Sequence, residues 1–345
     1  MSQLYAAIDV GGTKIAAALV DAGGTLLTRA ELPTPPRGSS QEVMATVAKL
    51  VDTLAEDARW AEVAGVGIGS AGPVDPVLGT VSPVNIPGWR EFPIVDRVRD
   101  LPPTRDIEVV LTGDGSAMAA GEHWRGAARG YDNALCLVVS TGVGAGLILD
   151  GALRTGPSGN AGHLGHITVD VEGEDCPCGS RGCLEIIASG TSIARWAVQN
   201  GWRHLPDNVV EIPSHTSSAA TSTTTTTATA TAQTTAPTSV TPITAAHIAA
   251  SARQGDEIAL AAFDRAGRAL AAGIAATAML VDIRAAVVGG GVAKAGEVLF
   301  DPLRRHLARY ASLPFTRDLD ILPAMLGGDA GLIGAAAAVA KPQTG

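Results

Sequence analysis

One local pattern recurs along this chain: an apolar run that ends in a glycine-rich turn. It occurs as "LYAAIDVGGTK", as "LCLVVSTGVGAG" and as "AAVVGGGVA". Apolar runs of this length, bounded by turn residues, predict buried strands. Glycine gives such turns a positive φ and lets backbone amides approach an anion closely. Three such turns at strand ends therefore favour an α/β fold that holds a nucleotide between two lobes.

The segments around these turns predict the order of elements. "LYAAIDVGGTKIAAALVDAGGTLLTRAEL" predicts three strands joined by tight turns, and apolar residues at three-to-four spacing predict a helix from Gln41 to Ala58. "NALCLVVSTGVGAGLILDGAL" repeats the strand–turn–strand arrangement, which hints at two related halves. From residue 243 the chain predicts long amphipathic helices, followed by a strand, a glycine turn and a helix.

Each glycine turn also has a simpler explanation, because short glycine motifs are weakly specific and occur in ordinary turns. The second turn precedes a strand, so the dinucleotide fingerprint does not apply, and no Walker lysine is present. The candidate nucleotide-binding residues are Asp9, Gly11, Gly12, Thr13, Lys14, Thr141, Gly142, Gly144, Gly289, Gly290 and Gly291.

A short segment concentrates metal-binding side chains. His166 is followed by Cys176, Cys178 and Cys183, while the fourth cysteine, Cys136, lies alone in an apolar run. One imidazole and three thiolates are the closed tetrahedral ligand set of a structural zinc site. The spacing does not suit a disulfide framework and is typical of a metal cluster in a reducing compartment. We therefore expect Zn²⁺ to fold residues 163–185 and not to perform chemistry.

Three further side chains are candidates for chemistry. Glu185 follows the last cysteine by two residues, so a bound metal would hold its carboxylate in place to accept hydrogen bonds from sugar hydroxyls. His163 precedes His166 by three residues and points the same way if the segment turns helically; otherwise it faces solvent. Asp114 follows the apolar strand "IEVVL", where it is either a general base or a helix N-cap.

Composition excludes several classes of partner. A net charge of -9 argues against a surface for nucleic acid or anionic lipid. No run of about eighteen apolar residues predicts a membrane span, and the amino terminus lacks a signal-peptide layout, so a cytoplasmic location is expected. Residues Ser214 to Pro242 are rich in Thr, Ala and Ser and carry no charged side chain. They predict a disordered surface insertion, because they offer little apolar surface to bury.

These motifs, in this order, resemble the ROK family of bacterial sugar kinases and sugar-responsive repressors over nearly the whole chain except the insertion. Gly165–His166, followed after nine residues by "CPCGSRGCLE", matches the family signature. The resemblance implies two α/β lobes of the actin/hexokinase (ribonuclease H-like) ATPase type, with sugar and MgATP in the cleft, and a homodimer. Residues 1–112 plus about 329–345 would form the small lobe, and residues 113–328 the large lobe.

The same resemblance implies roles for individual residues. Asp114 would be the catalytic base in phosphorylation of a sugar 6-hydroxyl. His166 would bind zinc and also touch the sugar, and Glu185 would accept sugar hydroxyls. Gly72 and Asn85 would line the sugar pocket. The glycine loops would hold the nucleotide.

Two positions depart from the family pattern. Most sugar-kinase members have Glu where this chain has His163, and Asn where it has Gly113. "AGHLGH" nevertheless resembles the bacterial N-acetylmannosamine kinases. Neutral imidazole both donates and accepts a hydrogen bond, which suits an acylamino sugar better than a carboxylate does. An N-acylhexosamine is therefore the expected substrate; the alternatives are a glucokinase and a non-catalytic sugar sensor. A repressor is not expected, since the first strand begins almost at Met1 and leaves no room for a DNA-binding module.

Overall fold

The computed structural model describes residues 3–35, 38–83, 86–203 and 242–341. The predicted pocket residue Asn85 and residues 214–241 of the predicted insertion lie outside these ranges. Within them, the strands form two five-stranded sheets and one two-stranded sheet. No helix of the described ranges is both long and apolar enough to cross a bilayer.

The first sheet contains the predicted three-stranded start of the chain. The strands of this half are β1 (Leu4–Val10), β2 (Lys14–Asp21), β3 (Leu26–Pro33), β4 (Val63–Ser70), β5 (Val74–Asp75), β6 (Thr80–Val81) and β7 (Glu108–Gly113). Five of them pair in the order β3-β2-β1-β4-β7, whereas β5 and β6 form a separate hairpin. Strands β1 to β3 run antiparallel, and β1, β4 and β7 run parallel.

Three helices accompany this half of the chain: α1 (Ser40–Ala55), α2 (Ile94–Arg99) and α3 (Asp114–Arg125). The predicted first helix is confirmed, and it begins at a capping box between Ser39 and Glu42. It ends three residues before the predicted Ala58. The reason is local: Asp57 accepts a hydrogen bond from the backbone of Arg59 at 3.0 Å and turns the chain.

The second sheet repeats the topology of the first. Its strands are β8 (Ala134–Val139), β9 (Val143–Leu149), β10 (Ala152–Arg154), β11 (Ala285–Gly289) and β12 (Asp320–Pro323). They pair in the order β10-β9-β8-β11-β12, again with three antiparallel strands followed by parallel neighbours. The shared order and direction support the inference of two related halves.

Helices cover both faces of the second sheet. The remaining helices are α4 (Leu184–Ala188), α5 (Gly190–Gln199), α6 (Ala245–Arg253), α7 (Glu257–Val281), α8 (Glu297–Tyr310) and α9 (Ala330–Ala340). One face packs against α4 to α8 in the largest hydrophobic core, and the other packs against α3. The long helices predicted after residue 243 are therefore confirmed as α6 and α7.

The two halves meet at a pair of central helices. Helix α9 packs on β1, β4 and β7 of the first sheet, although it follows the second sheet in sequence. It also packs on α3, which contacts β8 and β9. The helices approach closely where Gly334 faces Ala117, because a Cβ atom at Gly334 would overlap the Ala117 carbonyl. The lobe boundaries near residues 112 and 329 stay a prediction.

Candidate active site and metal centre

The predicted metal ligands come together in space. His166, Cys176, Cys178 and Cys183 place their ligand atoms within 4.8 Å of one another. Cys176 Sγ lies 3.8 Å from His166 Nδ1, and Cys178 Sγ lies 3.7 Å from Cys183 Sγ. A tetrahedral zinc ion, with bonds of about 2.3 Å to sulfur and about 2.0 Å to nitrogen, has ligand–ligand edges of roughly 3.5–3.8 Å. The cluster therefore fits Zn²⁺, with Nδ1 as the imidazole ligand and Nε2 left for other contacts.

The surroundings of the thiols agree with a bound cation. Burial raises the pKa of the Cys176 and Cys183 thiols above the ordinary value. Thiolates in such surroundings are unfavourable unless a positive charge compensates them. A metal ion supplies that charge and deprotonates its ligands, so the cluster couples folding of the segment to metal binding.

Backbone pairing closes the metal-binding segment. Val169 donates to the carbonyl of Gly182 at 2.9 Å, and Leu184 donates to the carbonyl of Ile167 at 3.0 Å. Gly182 has a φ of 60°, and a Cβ atom there would overlap the Asp170 carbonyl. Only glycine fits this turn. Cys183 then caps α4, so a metal ligand stands directly before the helix that carries Glu185.

Glu185 joins the metal-binding segment to the second glycine loop. Its Oε2 accepts a hydrogen bond from the backbone nitrogen of Val143 at 2.8 Å. A Cβ atom at Gly142 would lie only 2.5 Å from that oxygen, so a side chain there would displace the carboxylate. Helix α5 makes a second hydrogen bond to this loop, from the Thr191 hydroxyl to the Thr141 carbonyl at 2.9 Å. The loop around residues 140–143 is thus held from the metal side.

Two candidate carboxylates lie at one edge of the first sheet. Val10 of β1 is opposite Ser70 of β4, and Ser70 is opposite Gly113 of β7, so the carboxyl ends of the three parallel strands meet. Desolvation raises the pKa of Asp9, and Asp114 is close enough that its charge adds to this rise. Crevices at this edge of an open α/β sheet are the usual place for ligands.

Asp114 is not the N-cap of its helix. The structure puts Gly113 at that position, with φ -70° and ψ 154° and no capping hydrogen bond, and Asp114 is the first helical residue. The N-cap alternative is therefore wrong. Asp114 Oδ1 accepts from the backbone of Gly115 at 2.7 Å and would lie 3.4 Å from a Cβ atom on Gly144. The carboxylate thus faces the second glycine loop.

The environment of Asp114 suits a proton acceptor. The side chain is accessible from the cleft, but the surrounding protein removes much of its hydration, and this desolvation raises its pKa. Glu185 adds to the rise, while the Gly115 amide and His163 oppose it. A cleft carboxylate with a raised pKa is a candidate general base.

His163 lies beside these groups. It directly precedes a short 3₁₀ turn, and its ring centroid is 6.0 Å from that of His166, so the segment turns helically as predicted, while His163 is also exposed to solvent. Its ring also lies against Gly72, where an added Cβ atom would be 3.4 Å from His163 Cε1. A small cavity is lined by three of the pocket candidates, Gly72, Asp114 and His163, together with Gly113 and Asn160; the candidates His166 and Glu185 are not part of its lining.

Two of the three candidate nucleotide loops touch. Gly290 has a φ of 86°, and a Cβ atom on it would overlap the Val139 carbonyl. A Cβ atom on Gly291 would lie 3.7 Å from Ser140 Oγ. The loop at 289–291 therefore rests directly on the loop at 140–146, as a shared binding surface requires.

The first loop closes on itself at the end of β1. The Gly11 amide donates to the Lys14 carbonyl at 3.0 Å, and Thr34 donates to the Thr13 carbonyl at 2.9 Å. The Lys14 ammonium pairs with Glu31 at 3.0 Å on the surface. Lys14 is thus engaged with a carboxylate, whereas the sequence predicts it as a donor to an anion.

Sequence reasoning missed Asn160. Its side-chain amide donates to the Val74 carbonyl at 2.8 Å and accepts from the Val74 amide at 3.2 Å. The available signal is the polar residue between the glycines of "SGNAGH". Nothing in the sequence identifies its partner, because 86 positions separate the two residues.

The half-buried and strongly desolvated carboxylate of Asp9 predicts a pH-dependent stability. Desolvation, with the nearby Asp114 charge, raises the pKa of Asp9 to about 6, above the 3.8 of a model carboxyl. Ionised Asp9 therefore destabilises the fold above about pH 6, and this cost disappears as the pH falls towards the unfolded-state value. A rise of about two pKa units corresponds to roughly 3 kcal/mol, and screening from the cleft reduces this figure.

Asp9→Asn is accordingly expected to increase the free energy of unfolding by roughly 1–3 kcal/mol at pH 8, with a smaller gain at pH 5. Urea titrations of both proteins, in buffer without added divalent cations, measure the difference. A variant that is less stable than the parent at pH 8 would show that the ionised carboxylate stabilises the fold.

Known proteins are similar to this chain over nearly its whole length. Residues 5–342 match the ROK family. The glucokinase of Thermotoga maritima is 33% identical over 334 residues, 96% of this chain and 96% of that protein. The N-acetylmannosamine kinase of Yersinia pseudotuberculosis is 33% identical over 330 residues, again 96% of both chains. A crystal structure of a ROK family glucokinase from Streptomyces griseus, in complex with glucose and AMPPNP, aligns with a TM-score of 0.73 at 34% identity, covering 96% of this chain and 98% of that one.

Proposed function

The chain belongs to the ROK family and has its two-lobed, actin/hexokinase-like α/β fold, and on this premise we propose that it is an ATP-dependent sugar kinase. The acceptor is the 6-hydroxyl of a hexose or N-acylhexosamine. The observation that carries the proposal is the position of Asp114, a cleft carboxylate that faces Gly144 of a glycine loop and shares a cavity with His163.

Asp114 acts as the general base. It takes the proton of the 6-hydroxyl as the hydroxyl oxygen attacks the terminal phosphorus of ATP, and the bond from that phosphorus to ADP breaks. General-base assistance of this kind is worth about 10²–10⁴ in rate. The transition state is loose, so the protein contributes mainly position and charge neutralisation. The raised pKa of Asp114 fits this role, because it makes the carboxylate a stronger proton acceptor.

The nucleotide is held by glycine loops from both halves of the chain. Asp9 would help to hold magnesium, and the loops at 11–14 and 141–144 hold the polyphosphate. The turn at 289–291 packs against the adenosine. The contact between Gly291 and Ser140 supports this assignment, because it joins the adenosine and phosphate segments into one surface. Magnesium, when bound, neutralises charge on the phosphates.

The metal-binding segment positions the sugar. His166 and the three thiolates would hold Zn²⁺ at the start of α4, and α4 presents Glu185 to the sugar hydroxyls. His166 reaches the sugar with Nε2, since Nδ1 is on the metal side. The thiolates must stay reduced, which agrees with a cytoplasmic enzyme. A homodimer remains the expected assembly.

Among sugars, we propose an N-acylhexosamine, N-acetylmannosamine in particular. His163 supports this choice: its ring contacts Gly72 in the cavity beside Asp114 and carries a donor for an acyl carbonyl. Gly113 leaves that cavity open, since an added Cβ atom would meet nothing closer than Val74 Cγ2 at 3.9 Å. Glucose is the second candidate, because relatives named as glucokinases are equally similar.

A side-by-side comparison of sugars tests the substrate. We expect kcat/KM to be highest for N-acetylmannosamine among N-acetylmannosamine, N-acetylglucosamine and glucose, measured as ADP formed with saturating MgATP. His163→Glu is expected to move the preference towards glucose by about tenfold, since one neutral donor is exchanged for an acceptor. The KM for MgATP serves as the internal control and should not change.

Other outcomes of the comparison are equally informative. A parent enzyme that prefers glucose would be a glucokinase. If none of the sugars leads to ADP formation although sugars bind, only the non-catalytic sensor remains.

A further inference from the structure

We propose that Asn160 is a positioning residue that ties the loop before the metal-binding segment to β5, so that Gly72 and His163 form one wall of the sugar site. The inference rests on the proposed sugar-kinase function. Asn160 would act through its neighbours and not by touching the sugar.

The side-chain amide of Asn160 pairs with one residue as a strand would. Nδ2 donates to the Val74 carbonyl at 2.8 Å, and Oδ1 accepts from the Val74 amide at 3.2 Å. Nδ2 also donates to the Ser158 carbonyl at 2.7 Å. The reciprocal pair fixes the orientation of the amide, because a flipped amide would face donor to donor and acceptor to acceptor. Both hydrogens on Nδ2 are committed to backbone, so neither is left for a ligand.

The two partners belong to different halves of the molecule. Val74 is in β5, pairs with Val81 of β6, and contributes its side chain to the core of the first sheet. The Asn160 loop rests on the second sheet, where a Cβ atom on Gly162 would lie 3.0 Å from the Ala145 carbonyl of β9. The Asn160–Val74 pair thus crosses between the two sheets.

The pair is the centre of a longer antiparallel contact. On one side of it, a Cβ atom on Gly159 would overlap the Pro76 ring. On the other side, His163 packs against Gly72. The successive contacts along the two segments are therefore Gly159 with Pro76, Asn160 with Val74, and His163 with Gly72. Two glycines allow the chains to approach, and the Asn160 amide supplies the hydrogen bonds between them.

This contact line borders the cavity that contains the general base. Gly72, Asn160 and His163 line the same cavity as Asp114. Loss of the amide would release the only side-chain hydrogen bonds that the described residues place along this line, and His163 would lose its fixed distance from Gly72. The effect would fall on sugar binding, because none of the proposed nucleotide-binding residues is among those that line this cavity.

Asn160→Ala tests the proposal. We expect the KM for the preferred sugar to rise about tenfold, with kcat at saturating sugar and the KM for MgATP changed by less than about threefold. Asn160→Asp keeps the acceptor for the Val74 amide but loses both donors and sets a carboxylate oxygen against two carbonyls. It is therefore expected to weaken sugar binding at least as much, in a protein of unchanged side-chain volume.

The matched control is Asn133→Ala. The Asn133 amide also bonds backbone on both sides, to the Asp282 carbonyl at 3.3 Å and from the Asp150 amide at 2.9 Å, but it lies away from the cleft. We expect the Tm of Asn133→Ala to fall by about as much as that of Asn160→Ala, while its KM for sugar stays at the parent value.

Two results would overturn the proposal. One is a parent-like sugar KM in both Asn160 variants; the other is an equal rise of sugar and MgATP KM that Asn133→Ala reproduces. Calorimetric sugar titrations of all four proteins separate this outcome from failure of the kinase assignment. If the parent binds sugar without turnover, the kinase assignment fails, and the sugar Kd still decides the role of Asn160.

Discussion

Asp114→Asn is expected to lower kcat by about 10²–10⁴ while sugar binding is retained, because an amide cannot accept the proton of the attacking hydroxyl. The substitution preserves shape, and Oδ1 can still accept the hydrogen bond that Gly115 donates at 2.7 Å. Stability should not fall, since burial already disfavours the charged form of Asp114 and raises its pKa. Rapid ADP measurement gives kcat, and calorimetric titration gives the sugar Kd.

Asp52→Asn on the exposed face of α1 is a control for the loss of one negative charge. It should retain parent turnover. An Asp114→Asn enzyme within about threefold of the parent kcat would remove Asp114 from proton transfer, because general-base assistance is worth far more than that.

Cys178→Ser is expected to remove zinc and to weaken sugar binding in the same protein. Cys178 is an exposed ligand, so the exchange leaves no cavity in a core, and its effect comes from the lost thiolate. Without the metal, Cys183 no longer holds the start of α4 in place, and Glu185 loses its fixed position. We expect the zinc content to fall from about one per chain to well below that, and the sugar Kd to rise at least about tenfold.

Cys136→Ala is the matched control, because Cys136 is buried in the second sheet, away from the cluster. It should retain metal. Elemental analysis and calorimetry on the same preparations give both quantities, and removal of zinc from the parent with a chelator should reproduce the Cys178→Ser result. A zinc-free protein with parent sugar affinity would separate the metal from the sugar site.

Local patterns explain what the sequence predicts correctly. The strand–turn–strand units at residues 4–33 and 134–154 depend on neighbours within a few residues of one another, and the four metal ligands lie within one segment, residues 166–183. Their hydrophobic periodicity and ligand chemistry can therefore be recognised without a structure. The same holds for the turn that brings His163 beside His166, since only three positions separate them.

What the sequence does not predict depends on contacts between distant segments. The return of α9 to the first sheet joins residue 330 to strands near the amino terminus; no local signal specifies it, and only the family resemblance implies that residues from about 329 return to the small lobe. The Asn160–Val74 pair and the Glu185–Val143 hydrogen bond likewise join residues that are 86 and 42 positions apart in the chain. The N-cap alternative for Asp114 fails for a local reason, because helix α3 begins at Asp114 itself, one residue earlier than that alternative requires.

The hydrogen bond from Val143 to Glu185 has a consequence for the order in which substrates act on each other. Under the proposed function, the Glu185 carboxylate accepts hydrogen bonds both from the hexose and from the Val143 amide of a phosphate-holding loop. If nucleotide bound at the loop changes the affinity for the sugar by some factor, bound sugar changes the affinity for the nucleotide by the same factor. Substrate synergy is then a property of a single carboxylate, and it requires no movement of the lobes.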